Sequence, residues 1–236
     1  MNVKLFIATP AFDGKVNVPY AICLAETALL LAKNHIQIEY RIVTSGSLLC
    51  AERNRLLQSF IDSDCTHILC VDSDLGWPAQ CVISMLQKNL PFVAGVYPAR
   101  GPQHVFTFRP FLLENGSIEM DQQRALLRME NIPAGFMLIK REVIQKMMDD
   151  HPETKYVPKD PSAPSGFALF NTEIENGEFW GEDYVFCRRA RESGFQIWVD
   201  PMIEFNHAGN IAMLMNALTM KKEDAMDLPP SVPNEK

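Results

Sequence analysis

An apolar run, His67-Ile-Leu-Cys-Val, passes without interruption into Asp72-Ser73-Asp74, two carboxylates one residue apart. Alternate residues of an extended chain face the same way. Asp72 and Asp74 can therefore approach one divalent cation, or a ribose and diphosphate, just past the end of a strand. Hard cations take such oxygen ligands, and open α/β sheets bind ligands outside the carboxyl ends of their strands. The same acids also serve as turn or helix caps, because short carboxylates bond nearby backbone. A second pair, Glu182-Asp183, follows Phe179-Trp180-Gly181 and opens a helical segment, where the helix dipole stabilises acids whatever else they do. One histidine, His207, lies in Glu204-Phe-Asn-His-Ala-Gly209, two residues before a glycine that lets backbone come close.

Such residues need a scaffold, and the rest of the chain predicts one. Apolar or β-branched runs at 5–8, 38–43, 67–71 and 92–96 alternate with segments of helical period at 19–33, 48–61 and 79–88. That pattern predicts an α/β fold, a Rossmann-like, mostly parallel central sheet flanked by helices. Beyond residue 96, Pro98, Gly101, Pro102, Pro110 and the Asn115-Gly116 turn predict a small mixed region of hairpins. A strand at 136–139, a helix at 141–150, a long Pro- and Ser-bearing loop at 152–177, a helix at 182–193 and a strand at 196–199 follow. Gly194 stops the second of these helices, with Arg188, Arg189 and Arg191 placed to complement the negative end of its dipole. The Met-rich stretch 211–221 reads as an amphipathic cover, and 227–236, with three prolines, as a disordered tail.

With 236 residues, 47% of them hydrophobic, the chain is long enough for one generous core, expected as a single domain over 1–220 with a tail at 221–236. A net charge of -7 disfavours nucleic acid as a partner, because that affinity rests on Lys and Arg neutralising phosphates. It does not disfavour a nucleotide bound through a cation. Six cysteines without a C-x-x-C pair predict neither zinc nor disulfides. With no basic-then-apolar leader and no apolar run of transmembrane length, a soluble, cytoplasmic protein is expected.

Four stretches together resemble glycosyltransferases of the A-type fold, close in style to the family 2 inverting enzymes and to related viral and bacterial sequences. They are the first strand with Thr9-Pro10, Glu52-Arg53-Asn54, Asp72-Ser73-Asp74, and Phe179-Trp180-Gly181-Glu182-Asp183, and the likeness covers most of residues 3–209. It implies that Thr9 and Pro10 lie beside the nucleotide base and that Arg53 approaches the nucleotide. The family's Ala-Arg-Asn has Glu52 in place of Ala, which leaves Arg53 an alternative as an ordinary exposed helix residue. It further implies that Asp74 binds Mn2+ or Mg2+, that Asp72 holds the ribose or the metal through water, and that Ser73 stands between them at the donor. His207 would complete the metal shell, and a mixed carboxylate and imidazole set favours Mn2+.

Asp183, with Glu182, is then the candidate catalytic base, because an acceptor hydroxyl is a poor nucleophile until a carboxylate takes its proton. That role requires partial burial to bring its pKa back toward neutrality against the dipole. Trp180 and Gly181 would present the acceptor, the indole as a platform for a sugar's apolar face. The donor implied is a nucleotide-diphosphate sugar, UDP or GDP by resemblance only, and the acceptor a glycan or other hydroxyl.

Two alternatives share the fold. A nucleotidyltransferase making the sugar nucleotide would carry a Gly-rich basic loop after the first strand, but Thr9-Pro-Ala-Phe-Asp-Gly-Lys15 has one glycine. A non-catalytic binding or scaffold protein would have no need of both acid pairs and His207. No G-x-G-x-x-G or G-x-x-x-x-G-K-[ST] supports a nicotinamide or ATP enzyme.

Overall fold

The computed structural model describes residues 3–44, 46, 48–101, 105–159 and 165–219. Its first half is the predicted alternation: β1 (Lys4–Ala11), α1 (Val18–Lys33), β2 (Gln37–Thr44), α2 (Leu49–Asp62), β3 (His67–Val71), β4 (Leu75–Gly76), α3 (Ala79–Lys88) and β5 (Phe92–Ala94). There follow β6 (Arg109–Pro110), β7 (Met120–Asp121), β8 (Leu126–Asn131), β9 (Phe136–Lys140), α4 (Arg141–Asp150), β10 (Lys155–Tyr156) and β11 (Gly166–Phe167). The chain continues through β12 (Glu173–Glu175), β13 (Glu178–Trp180), α5 (Glu182–Glu192), β14 (Ile197–Val199), β15 (Glu204–His207), β16 (Asn210–Met213) and α6 (Leu214–Thr219).

Among the described residues, nine strands form one sheet, in the order β2-β1-β3-β9-β5-β14-β8-β6 with β7 joined to β8. β1 is parallel to β2 and β3, and β14 to β5, while β9 and β8 run against their neighbours. The long strands thus mostly share one direction, as expected. Their alternation divides the core in two. Phe6, Ala8, Ile68, Cys70, Met137 and Ile139 face one layer, with side chains of α2, α4 and α5. Leu5, Ile7, Leu69, Val71, Phe136 and Leu138 face the other, against α1 and α3. Burial on both faces is why β3 is apolar at every position.

The end of α2 shows how the layers are tied. The Arg141 guanidinium donates to the carbonyls of Phe60, Ile61, Ser63 and Cys65 at 2.7–3.0 Å and lies 4.6 Å from the Phe60 ring centroid. A helix end leaves such carbonyls open. Arg141→Ala should therefore cost about 2–4 kcal/mol, seen as a lower urea midpoint at unchanged slope.

Several expectations need correction. The region 152–177 is not one long loop: β10 pairs with β11, and β12 turns through Asn176 and Gly177, both at positive φ, into β13. Residues 160–164 within it lie outside the described residues. Helix α5 does end before Gly194, which has φ +87°, and its arginines also serve elsewhere. Arg189 donates to the carbonyls of Ala168 and Leu169 and pairs with Glu173, Arg188 pairs with Glu173 and Glu175, and Arg191 donates to the Glu130 carbonyl. Arg189 and Arg191 stand in the last turn of α5, as expected, while Arg188 and Arg189 also fasten the connecting segment to the helix and Arg191 ties it to β8.

His207 lies in a further strand beyond the predicted one at 196–199, β15, which pairs with β16 and β4. The amphipathic cover expected at 211–221 is a strand end and a short helix as far as Thr219. The expected tail, 221–236, lies outside the described residues, as does Pro102. All six cysteines are free. No helix among the described residues is long and apolar enough to cross a membrane.

Candidate active site

A cavity of about 400 Å³ opens beyond the carboxyl ends of β1 and β3, a volume within the range of small-ligand sites. Pro10, Phe12 and Leu49 give it apolar walls, and Glu52, Asp72, Ser73, Asp74 and Arg100 give it polar ones. Strand β3 ends at Val71, so Asp72 and Asp74 flank a turn in which Leu75 N–H donates to the Asp72 carbonyl at 3.2 Å. Strand alternation is therefore not what brings the two acids to one cavity. The turn does so, and it sends them to different partners.

Asp72 reaches inward. Its Oδ1 accepts from Arg53 Nη2 at 2.9 Å, and its Oδ2 accepts from the Tyr97 hydroxyl at 3.2 Å. That hydroxyl in turn accepts from Gly135 N–H at 3.1 Å. A Cβ on Gly135 would lie 2.3 Å from the Tyr97 Oη and 2.4 Å from Asp72 Oδ2, so only glycine lets these groups meet. Arg53 is not an exposed helix residue: it is 7% exposed, and its Nε lies 3.8 Å from Glu182 Oε1. Burial opposes its charge, and the attraction of Asp72, Tyr97 and Glu182 more than offsets this, raising its pKa. One guanidinium thus joins the two acidic motifs. The next residue, Asn54, exchanges two hydrogen bonds with the backbone of Phe170, at 2.8 and 2.9 Å. Phe170 stacks on Phe186 of α5 with ring centroids 4.1 Å apart.

Asp74 reaches the other way. Its Oδ2 lies 3.2 Å from His207 Nε2 and accepts from Arg100 Nε at 2.9 Å. His207 is held through Nδ1, which is 2.7 Å from the Pro98 carbonyl. A carbonyl can only accept, so Nδ1 carries a proton in either state; the protonated ring also donates from Nε2 to Asp74, and once that proton is lost the Nε2 lone pair faces the same oxygen. Burial lowers the His207 pKa, but the bonds to Asp74 and Pro98 outweigh it and the net shift is upward. For Asp74, burial pulls upward, and the bonds from His207 and Arg100 prevail downward.

These two groups fit a cation. Ligand atoms at right angles on a metal with bonds of about 2.1 Å stand about 3 Å apart, close to the 3.2 Å between Asp74 Oδ2 and His207 Nε2. Asp72, expected as a third ligand, is not brought to them, and both its oxygens are engaged. Among the described residues, the one trio of such groups with ligand atoms within 4.8 Å is Glu39, Asp64 and Cys65, far from this chemistry. Lys4 already pairs with both of those acids.

Asp183 stands in the first turn of α5, its Oδ1 accepting from Tyr184 N–H at 2.8 Å. Burial and the neighbouring Glu182 carboxylate push it up to about 6 despite that bond. The partial burial that a base would need is present. Gly181 is the residue before α5. Trp180 ends β13 away from the cavity wall, its ring 5.5 Å from the Arg109 guanidinium and 5.4 Å from that of Arg188. Thr9 is not at the cavity: it is buried, with Oγ1 2.5 Å from the Tyr20 hydroxyl. Pro10 is.

Three polar residues of the site escaped the sequence reading. Tyr97 and Arg100 lie in an irregular segment after β5 and had no signal. Glu52 had one, as an acid replacing Ala: it is 4% exposed, its Oε1 accepts from Arg55 at 3.0 Å, and its Oε2 is buried without a hydrogen-bond partner among the described residues.

No family model matches this chain. No curated protein matches it either. Among solved structures it is similar to A197 from STIV, at TM-score 0.53 and 18% identity, over 90% of this chain and 91% of that one. That likeness is one of fold. The catalytic domain of Drosophila beta1,4galactosyltransferase 7 in complex with xylobiose aligns at TM-score 0.47 and 14% identity, covering 98% of this chain and 77% of that one. Residues 1–349 of S. aureus TarS in complex with UDP-GlcNAc align at 0.44 and 12%, covering 84% and 56%.

Proposed function

We propose that the chain is a metal-dependent glycosyltransferase, moving a sugar from a UDP- or GDP-sugar to an acceptor hydroxyl with inversion, and that residues 1–220 act as one catalytic domain. The observation that carries the reading is the convergence of Asp74 and His207, 133 residues apart, at the rim of the cavity that Asp72 and Ser73 also line. Asp74 and His207 would hold Mn2+ or Mg2+, and the bound cation would offset the charge that develops on the departing diphosphate.

The remaining work falls to the chain. Pro10, Phe12 and Leu49 supply apolar surface for a base, and Asp72 and Ser73 lie where ribose hydroxyls or water would be bound. Arg53 holds the Asp72 carboxylate in place through its 2.9 Å bond. Asp183, with a pKa near working pH, takes the proton of the acceptor hydroxyl as its oxygen attacks the anomeric carbon and the bond to the diphosphate breaks. Glu182 makes Asp183 more basic by its charge. Trp180 and Gly181, next to these acids in sequence, are the acceptor edge. Attack from the face opposite the diphosphate gives inversion.

The test is thermal shift with UDP, GDP, ADP and CDP, each with and without Mn2+. A ligand that binds only the folded state at about 100 times its Kd adds about 2.7 kcal/mol, so UDP or GDP should raise the melting temperature by several degrees in Mn2+ and little without it. Asp74→Asn should abolish the Mn2+ dependence. If no nucleoside diphosphate moves the transition under any condition, the reading is wrong.

A further inference from the structure

Arg100 is the one cationic side chain in the cavity wall among the described residues, in company with the acids Glu52, Asp72 and Asp74. Its guanidinium occupies a particular place. Nε and Nη2 lie 2.9 and 2.5 Å from Asp74 Oδ2, and Nε lies 3.4 Å from His207 Nε2. It therefore covers both atoms that would grip a metal. An arginine keeps its charge at any working pH, so a divalent cation bonded to the same oxygen would face an unneutralised positive charge a few ångströms away. The two compete for that oxygen.

The backbone leading to Arg100 is anchored, while its side chain is largely exposed. Tyr97 is held by Asp72 and Gly135, the Pro98 carbonyl by His207, and the Ala99 carbonyl by Asn210 Nδ2 at 3.0 Å. Ala99 N–H donates to the Val105 carbonyl at 2.7 Å. Beyond these anchors the Arg100 side chain is 72% exposed, against 14% for Asp74 and 9% for His207. A displaced guanidinium remains tethered at the cavity. A diphosphate entering a wall of three carboxylates needs a cation there, and a planar guanidinium suits phosphate oxygens in bidentate fashion.

We infer that Arg100 is an exchangeable counter-ion: it neutralises Asp74 while the cation is absent, yields that oxygen when the cation binds, and then pairs with the donor's diphosphate. The arginine would thus couple the two ligands, keeping the metal weakly held until a diphosphate arrives to receive the guanidinium. This rests on the reading of Asp74 and His207 as cation ligands, and deepens it by assigning the diphosphate a partner.

The experiment measures free Mn2+ by electron paramagnetic resonance during titration of the wild type, Arg100→Ala and Asp74→Asn, without nucleotide. UDP and GDP are then titrated at saturating Mn2+. Arg100→Ala should bind Mn2+ alone about tenfold more tightly than the wild type and the preferred diphosphate about tenfold more weakly. Its melting temperature should be unchanged, as the side chain is exposed. If Asp74→Asn abolishes Mn2+ binding but Arg100→Ala leaves either affinity unchanged, the exchange is refuted and the cation site stands. If Asp74→Asn binds Mn2+ as the wild type does, the cation site itself falls, and the exchange with it.

Discussion

Asp183→Asn should lower kcat about 10³-fold while leaving the affinity for a nucleoside diphosphate in Mn2+ within about twofold, because a positioned general base contributes roughly 10²–10⁴ to a rate. The pH dependence gives a second readout. Burial and Glu182 push Asp183 up to about 6, so wild-type kcat should rise tenfold per pH unit below that value and level off above it, whereas the residual rate of Asp183→Asn should lack that limb. The sign for stability is the reverse of the usual carboxylate. With a folded pKa above the ordinary 3.8, the native state holds the proton more firmly than the unfolded chain. Stability due to this group is present at low pH and is lost as pH rises from about 4 to about 6. At pH 7 the ionised side chain therefore opposes folding, and Asp183→Asn should add about 1–3 kcal/mol, after allowance for partial exposure. A variant that loses activity and gains stability together would separate a base from a helix-end acid, whose removal costs stability. An Asp183→Asn protein with near wild-type turnover would remove it from the base role.

What could be read from the sequence divides by the range of the interaction. Strand β3 was legible because burial on both faces makes five consecutive positions apolar. Helix α3 begins and ends at the predicted residues, Ala79 and Lys88, with Asn89 at φ +52° closing it. The expectation for Thr9 fails because a place at the carboxyl end of a strand does not fix the direction of the side chain. Alternation along β1 puts Thr9 on the side of Leu5 and Ile7, in the layer that contains Tyr20, so the sequence contained the correction. Strand β8 was missed for a different reason. Its Leu126, Leu127 and Met129 are buried, but Arg128 and Glu130 interrupt the run, and its place in the sheet depends on pairing with β14, some 70 residues later.

The candidate site divides the same way. Asp72, Asp74, Glu182, Asp183 and His207 were recognisable by residue type. Their partners were not, because Tyr97, Arg100 and the Gly135 backbone reach them only through tertiary contacts with no periodic signature. Arg53 is the instructive intermediate. Its position in the helix was correct, and its alternative as a surface residue failed because Phe170 and Phe186 close over that side of α2, with the guanidinium 5.7 Å from the Phe170 ring centroid.

Arg53→Met should lower both the stability of the fold and the affinity for the donor. The substitution keeps length and apolar contact with Phe170 but leaves Asp72 and Glu182 without their shared counter-charge. Removing one member of a buried ionic group costs about 3–5 kcal/mol, because the remaining charge stays desolvated. For a chain of this size that lowers the melting temperature by about 10 °C or more. Glu182→Gln in the same background should recover part of the loss, since one uncompensated carboxylate disappears, and the double-mutant cycle should show a coupling above about 1 kcal/mol. Arg53→Lys should fall between, retaining charge without the fork that spans 2.9 Å to Asp72 and 3.8 Å to Glu182. Donor affinity in Mn2+ should fall with Arg53→Met even where the protein remains folded, because Asp72 is then free to turn from the cavity. Additive effects of Arg53→Met and Glu182→Gln would mean that the guanidinium serves Asp72 alone, and the two acidic motifs would then be neighbours without being linked.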